Sequence, residues 1–470
     1  MPRKKMIIIS SYFNGESYGL LGPQTAATII QKNTEYDCAV LALDREDDKT
    51  VLQKTLTDYF GPARPLIGFS TLSGREDLFD LAKEWTAQGA FTILAGPQAD
   101  ADYKGEKDWQ NHTERFSGLS RYFSCALRGP AEQAIHLLNH LDDAQWQETP
   151  GLLYLDSNGQ IRENPKKPWD EQFLQEVDWT RIYRLGSQGL EPLQIYIGQI
   201  LQQIGCPHAN RMETIEVDYP DFLSNRPNPK VRLKVKGCSF CDVAVDKGFH
   251  GALDLKAVLA QIRGLPELSD DRKIPFELIN ETPLPGLPNL LQTLKDNGPR
   301  ISQINLTLRA DGFVGAKEKL EQALRLARQM DVRILASSVG FESFSDHVLK
   351  QLHKGTDLNT NLEAIRLMRW LKKMFPLQWF YSRDDGAQHG LIHPTPWDMP
   401  EVLQGIQSVV RKYGLEQDIL PFQSIPLIVH HASCLADWIR AIEQREQIEF
   451  QRYVTAIGWW PEAMIRKSGE

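Results

Sequence analysis

Cysteine is scarce. Six residues in 470 are too few and too scattered for the disulfide framework that holds small secreted domains together. Long apolar runs are lacking as well: no stretch approaches the about eighteen uninterrupted apolar residues of a membrane-spanning helix. The opening Met-Pro-Arg-Lys-Lys leads only into Met6 to Ile9, too short for a secretory leader. A cytoplasmic protein with no membrane partner is expected. Positive charge is not in excess either. A net charge of −8 and a pI near 5.8 exclude a chain whose main task is gripping phosphate backbones, so no nucleic-acid partner is expected. Internal repeats and low-complexity tracts are missing too.

What remains is an ordinary globular composition, 41% hydrophobic and 24% charged, in a chain long enough for two or three domains. From Lys4 to about Leu141, short apolar runs (Ile7 to Ile9, Ala39 to Leu43, Leu66 to Ser70, Phe91 to Ala95, Cys125 to Leu127) alternate with segments of helical spacing. That pattern predicts an α/β, doubly wound (Rossmann-like) domain over 1–148, with a ligand edge beyond the strands' carboxyl ends. The residues there are small: Ser70, Thr71, Ser73, Gly96, Pro97 and Gly129. A linker is expected over 149–191. Alternation then resumes, with strands at Leu193 to Ile197, Ile274 to Ile279, Ile301 to Leu308, Val332 to Gly340, Leu377 to Tyr381 and Phe422 to Ile428. Six strand-helix units over 192–430 suggest a full or partial (βα)6 barrel, followed by a helical extension over 431–470.

Cys38, Cys125 and Cys434 stand alone and read as small buried hydrophobes. Gly205-Cys206-Pro207 and Gly237-Cys238-Ser239-Phe240-Cys241 instead mark glycine-bearing turns. Three thiolates can hold three irons of a cubane [4Fe-4S] cluster and leave the fourth open. A Cys3His zinc site on Cys206, His208, Cys238 and Cys241 is the alternative. Thirty-one residues separate Cys206 from Cys238, and within them Ile215, Val217 and Tyr219 alternate with acids while Val231, Leu233 and Val235 alternate with bases. A hairpin inserted at 212–236 follows, with Glu216 set opposite Lys234 and Asp218 opposite Arg232. It would bring Cys206 back beside Cys238, and as an insertion it should be removable without loss of folding.

These turns resemble the cluster loop of radical S-adenosylmethionine (SAM) enzymes, in expanded form. Phe240 stands where that family has an aromatic residue against the adenine. Asn280-Glu281, Arg309-Ala310-Asp311 and Gly340-Phe341-Glu342-Ser343 end successive strands, and Lys354-Gly355 follows. The last run is similar to a signature of the subfamily that carries a cobalamin-binding domain in front. Ala95-Gly96-Pro97-Gln98-Ala99 and Arg128-Gly129-Pro130 resemble that domain's loops. The Asp-x-His-x-x-Gly cobalt-ligand motif is absent, Ile204 replaces an arginine common before Gly-Cys-Pro, and Ser382 to Gly386 replaces the usual fifth loop.

The resemblance implies a [4Fe-4S] cluster on Cys206, Cys238 and Cys241. It implies SAM contacts at Phe240, Asn280, Glu281, Arg309, Glu342 and Ser343, and cobalamin on the small-residue edge. The implied activity is reductive cleavage of SAM to a 5'-deoxyadenosyl radical and cobalamin-dependent methylation of an unactivated carbon, with cobalamin-independent cyclisation or rearrangement as alternatives. The implied partners are a small-molecule or peptide substrate and a reductant such as flavodoxin or ferredoxin. A non-catalytic protein binding metal and corrin is the reading from another class.

Overall fold

The computed structural model describes residues 3–14, 18–72, 74–241, 249–419 and 424–465. The chain divides into two compact units. The first comprises Met1–Gly198, Lys256–Pro266 and Arg452–Thr455, and the second comprises Gln199–Leu255, Glu267–Gln451 and Ala456–Glu470.

The first unit is built on the predicted strands. β1 (Lys4–Ser11), β2 (Tyr36–Leu43), β3 (Leu66–Ser70), β4 (Phe91–Ala95) and β5 (Cys125–Leu127) lie parallel in the order β5-β4-β3-β1-β2. Their residues are almost continuously buried, as expected where helices cover both faces of a parallel sheet. Helices Leu21–Asn33, Lys49–Phe60, Glu76–Ala87 and Gln133–Asn139 provide the crossovers. Ile7, Ile9, Leu41, Phe69, Phe79 and Leu94 meet in one core, with Phe69 edge-on to Phe123 at 5.4 Å between centroids. The stretch expected as a linker instead widens this sheet. β6 (Leu152–Leu155) and β7 (Ile161–Glu163) join one edge, and β8 (Ile182–Gly186) and β9 (Gly189–Pro192) join the other. Polar residues on these edge strands hid their role, since only one side of an edge is buried.

The second unit holds a five-stranded sheet, β10 (Gly198–Leu201), β15 (Phe276–Ile279), β16 (Gln303–Arg309), β17 (Arg333–Gly340) and β18 (Trp379–Phe380), in the order β10-β15-β16-β17-β18. From β15 to β18 the pairs are parallel. Among the described residues the sheet continues past β18 only through single bridges, Glu342 with Leu391 and Ile392 with Ile425. The expected sixth strand begins at Phe422, outside the described residues. The first strand lies later than the expected Leu193 to Ile197, where Tyr196 is 65% exposed. Buried Gln199 and Gln202 disguised it: their amides bond to the Glu277 carboxylate (3.0 Å) and the Asn280 amide (2.8 Å).

Between β10 and β15 come the short β11 (Gln203–Gly205), then β12 (Met212–Asp218) and β13 (Lys230–Lys236), then β14 (Phe249–Ala252), which pairs with β11. β12 and β13 form the expected antiparallel hairpin, but two residues out of the expected register: Glu216 faces Arg232, Asp218 faces Lys230 and Val217 faces Val231. Tyr219 N–H donates to the Pro229 carbonyl at 2.7 Å, and this bond closes the ladder. A shift of two keeps every side chain on its predicted face.

The hairpin is not a detachable insertion. Val217, Tyr219, Leu223, Val231, Leu233 and Val235 are buried in one core with Val348, Leu352, Trp397, Trp438, Ile439 and Trp459. Beyond residue 430, where a helical extension is expected, the described residues hold the α-helix Cys434–Glu446, a 3-10 turn at Pro461–Ala463 and short strands at Glu449–Phe450, Ala456–Ile457 and Met464–Ile465. No helix among the described residues is long and apolar enough to cross a membrane.

Candidate functional site

Cys206 follows β11 at the start of a 3-10 turn, and Cys238 follows β13, each directly after a glycine in the left-handed region (Gly205 φ +80°, Gly237 φ +75°). The hairpin returns the chain so closely that a Cβ on Gly237 would stand 3.2 Å from Ala209 Cα, three residues past Cys206. Only glycine combines that φ with that approach. The next residue, Ser239, is fully buried. Its N–H donates to the Leu352 carbonyl (2.9 Å), its hydroxyl to the Gln351 carbonyl (2.9 Å), and its own carbonyl accepts from Leu435 N–H (3.0 Å). Cys241 N–H then donates to the Cys238 carbonyl at 3.2 Å, closing the turn.

Donors already face the sulfurs. Burial pushes the Cys206 thiol up and the Glu281 charge adds to this, while backbone N–H groups of His208 and Ala209 and the Arg309 charge act the other way. Burial also pushes Cys238 up, opposed by the cations Lys354 and Arg309. Arg309 Nη1 lies 3.5 Å from Cys238 Sγ. Burial alone would lower Lys354, but Glu342 and Cys238 outweigh it and leave the ammonium raised. Its Nζ sits 2.6 Å from Glu342 Oε1. Glu342 itself has φ +59°, a strained conformation for a non-glycine residue, and its carbonyl accepts from Ile392 N–H at 2.8 Å.

The strand ends therefore bring Glu281, Arg309 and Glu342 toward the cysteine turns. They do so less for Asn280, whose amide donates to Gln202 and whose oxygen accepts from Thr282 N–H at 2.7 Å. Ser343 is taken up by its own turn: its hydroxyl accepts from Ser345 N–H (3.2 Å) and its carbonyl from Asn361 (2.9 Å). Phe240 is half-buried against the second core. Sequence reasoning missed Lys354 and His353 as site residues. Lys354 was visible in the Lys354-Gly355 run, but nothing in the sequence marked His353, whose ring nitrogens contact the Gly237 carbonyl (2.7 Å) and Glu213 (3.1 Å).

Gly340 makes the Glu342–Lys354 pair possible, because a Cβ there would lie 2.7 Å from Glu342 Oε1 and 2.9 Å from Lys354 Nζ. Gly340→Ala is expected to displace this pair at a cost of about 1–3 kcal/mol. A thermal melt unchanged from wild type would contradict that.

Among the described residues no three Cys, His, Asp or Glu side chains are gathered to hold one metal ion. His208 instead places Nε2 3.3 Å from the His353 carbonyl. A cubane cluster asks something different, since each thiolate takes its own iron. Burial lowers His208, and the Arg309 charge adds to this. Cys38 and Cys125 are fully buried and held well above the ordinary thiol range by that burial, so they are inert.

His389, unassigned from sequence, joins strands. Its Nδ1 accepts from Val339 N–H (2.9 Å), so its Nε2 donates to the Tyr381 carbonyl (2.7 Å) and the ring is neutral. Burial holds it below its ordinary range despite that carbonyl and the Asp418 charge. The unfolded chain takes up this proton near pH 6.5, so the stabilisation is complete above about 6.5 and is lost as pH falls through the folded value. His389→Gln should therefore show a smaller fall in melting temperature between about pH 7 and 5 than wild type. An equal fall would exclude His389 as a source.

In the first unit, the small residues cluster where β3, β4 and β5 end. Thr71 is fully buried, and its hydroxyl has no partner among the described residues. Gly96 has φ +77°, and a Cβ there would meet Ser70 Oγ at 3.3 Å; Pro97 opens the helix that follows. Gly129 is explained locally, since a Cβ would crowd Gln133 Nε2 at 3.0 Å. Ser73 lies outside the described residues.

Comparison with solved structures places this architecture. It is similar to the cobalamin-dependent S-adenosylmethionine radical enzyme OxsB with aqua-cobalamin and S-adenosylmethionine bound, at TM-score 0.55 and 13% identity over 95% of this chain and 62% of that one. The same enzyme with aqua-cobalamin alone gives TM-score 0.56 and 13% identity over 97% and 64%. The chain has the fold of that enzyme. It spans less than two thirds of OxsB's length. No family model and no curated protein matches the sequence.

Proposed function

We propose that this chain is a radical SAM enzyme, with a [4Fe-4S] cluster on Cys206, Cys238 and Cys241 and cobalamin held by the first unit. The observation that carries the reading is the hairpin's return, which sets Gly237 against Ala209 and so joins two cysteine turns 31 residues apart. Their surroundings suit an anionic cluster: backbone N–H groups at Cys206 and two buried cations at Cys238. A cluster held by Cys206, Cys238 and Cys241 would supply the electron for reductive cleavage of SAM.

The protein's own residues position and shield. Glu281 and Glu342 can receive the methionine ammonium, the Ser239 anchor holds the turn rigid, and Phe240 offers a ring to the adenine. Ser70, Thr71, Gly96, Pro97 and Gly129 would hold the corrin, with the partnerless Thr71 hydroxyl able to bond an amide. OxsB has been solved with both cobalamin and SAM, which favours cobalamin here. We take the reaction to be methyl transfer to an unactivated carbon of a small molecule or peptide, driven by a flavodoxin- or ferredoxin-type reductant.

Anaerobically reconstituted protein treated with dithionite and SAM should yield 5'-deoxyadenosine and methionine. Bound zinc with no such products would overturn the proposal. Hydroxocobalamin should bind with a changed visible spectrum, and an unchanged spectrum would remove the corrin from it.

A further inference from the structure

The carry-over from family resemblance gives Arg309 to SAM, but the geometry points elsewhere. Arg309 ends β16 with its side chain only 10% exposed, and most of its donors are already committed. Nε and Nη2 grip the Asp311 carboxylate at 3.1 and 3.2 Å, Nη2 also donates to the Lys354 carbonyl at 2.6 Å, and Nη1 reaches Cys238 Sγ at 3.5 Å. Gly355 is tied into the same knot, because a Cβ there would meet His208 Cε1 at 3.1 Å and Arg309 Nη2 at 3.7 Å. A guanidinium held on three sides is poorly placed to clamp a ligand carboxylate, and well placed to hold a charged N–H on one sulfur.

We infer that Arg309 is a positioning residue for Cys238, fixing the cysteine's sulfur through an N–H···S bond and raising the reduction potential of the cluster bound there. The inference rests on the proposed function. Adding one electron takes the cluster from the 2+ to the 1+ state, and a cation fixed against a ligating sulfur stabilises the more negative state more. The Lys354 ammonium also acts on Cys238, with its charge balanced by Glu342 and its carbonyl accepting from Arg309.

The test is a dithionite redox titration of reconstituted wild type, Arg309→Gln and Arg309→Lys, followed by the spectrum of the reduced cluster. Iron per chain is counted first. Wild type without about four irons fails the proposed function itself, and this inference with it. With the cluster present, Arg309→Gln should shift the one-electron reduction equilibrium at least about tenfold toward the oxidised form, or 59 mV. Arg309→Lys, which lacks the planar fork, should shift the same way by less. Loss of iron from a folded Arg309→Gln, with its melting curve kept, supports the same assignment. An unchanged potential in whichever variant keeps its irons, or a tenfold weaker SAM affinity at that unchanged potential, would overturn it.

Discussion

Alanine at Cys206, Cys238 or Cys241 is expected to reduce the iron content of anaerobically reconstituted protein from about four per chain to near zero, and to abolish SAM cleavage. In the proposed cluster each thiolate would hold a different iron, so losing one would leave two irons of the cubane without a protein ligand. The three variants should be equally severe despite the odd spacing, because Gly237 packs on Ala209 as tightly as a short loop would bring them. Cys38→Ala, made in the fully buried centre of the first unit, should keep its irons. Retention of a SAM-cleaving cluster in Cys206→Ala would show that the first ligand lies elsewhere.

Trp397→Ala is expected to be the most damaging substitution outside the cysteines, at about 3–5 kcal/mol. Its indole is 2% exposed, stands 5.4 Å from the fully buried Trp438 ring, and donates Nε1–H to the Asp218 carbonyl at 2.9 Å. It therefore ties the end of β12 to the second core while filling that core. Deleting 212–236 should be worse still, because six buried apolar side chains leave together. Denaturant melts read both effects, and a deletion variant with wild-type stability would return the hairpin to the status of a surface insertion.

The five parallel strands of the first unit were legible, because a parallel sheet covered on both faces writes itself as short, wholly apolar runs such as Ile7 to Ile9 and Phe91 to Ala95, whereas the edge strands β6 to β9 were not. The hairpin was legible in its existence and faces but not in its register. The charge pattern fits two pairings equally well, and the bond from Tyr219 to Pro229 chooses between them. β10 was hidden for the opposite reason. Its Gln199 and the adjoining Gln202 are buried yet polar, bonded to Glu277 and Asn280, partners far along the chain. In the site, the cysteines announced themselves, whereas the roles of Arg309 and Lys354 depend on where a guanidinium and a carbonyl meet in space. No spacing rule carries that information.

The electron paramagnetic resonance spectrum of the dithionite-reduced, reconstituted protein, recorded with and without SAM, tests the central claim most directly. Three cysteine ligands would leave one iron open, so the spectrum of a reduced [4Fe-4S] cluster should appear and should change when SAM is added. A protein that takes up zinc instead, or a cluster whose spectrum ignores SAM, would contradict it.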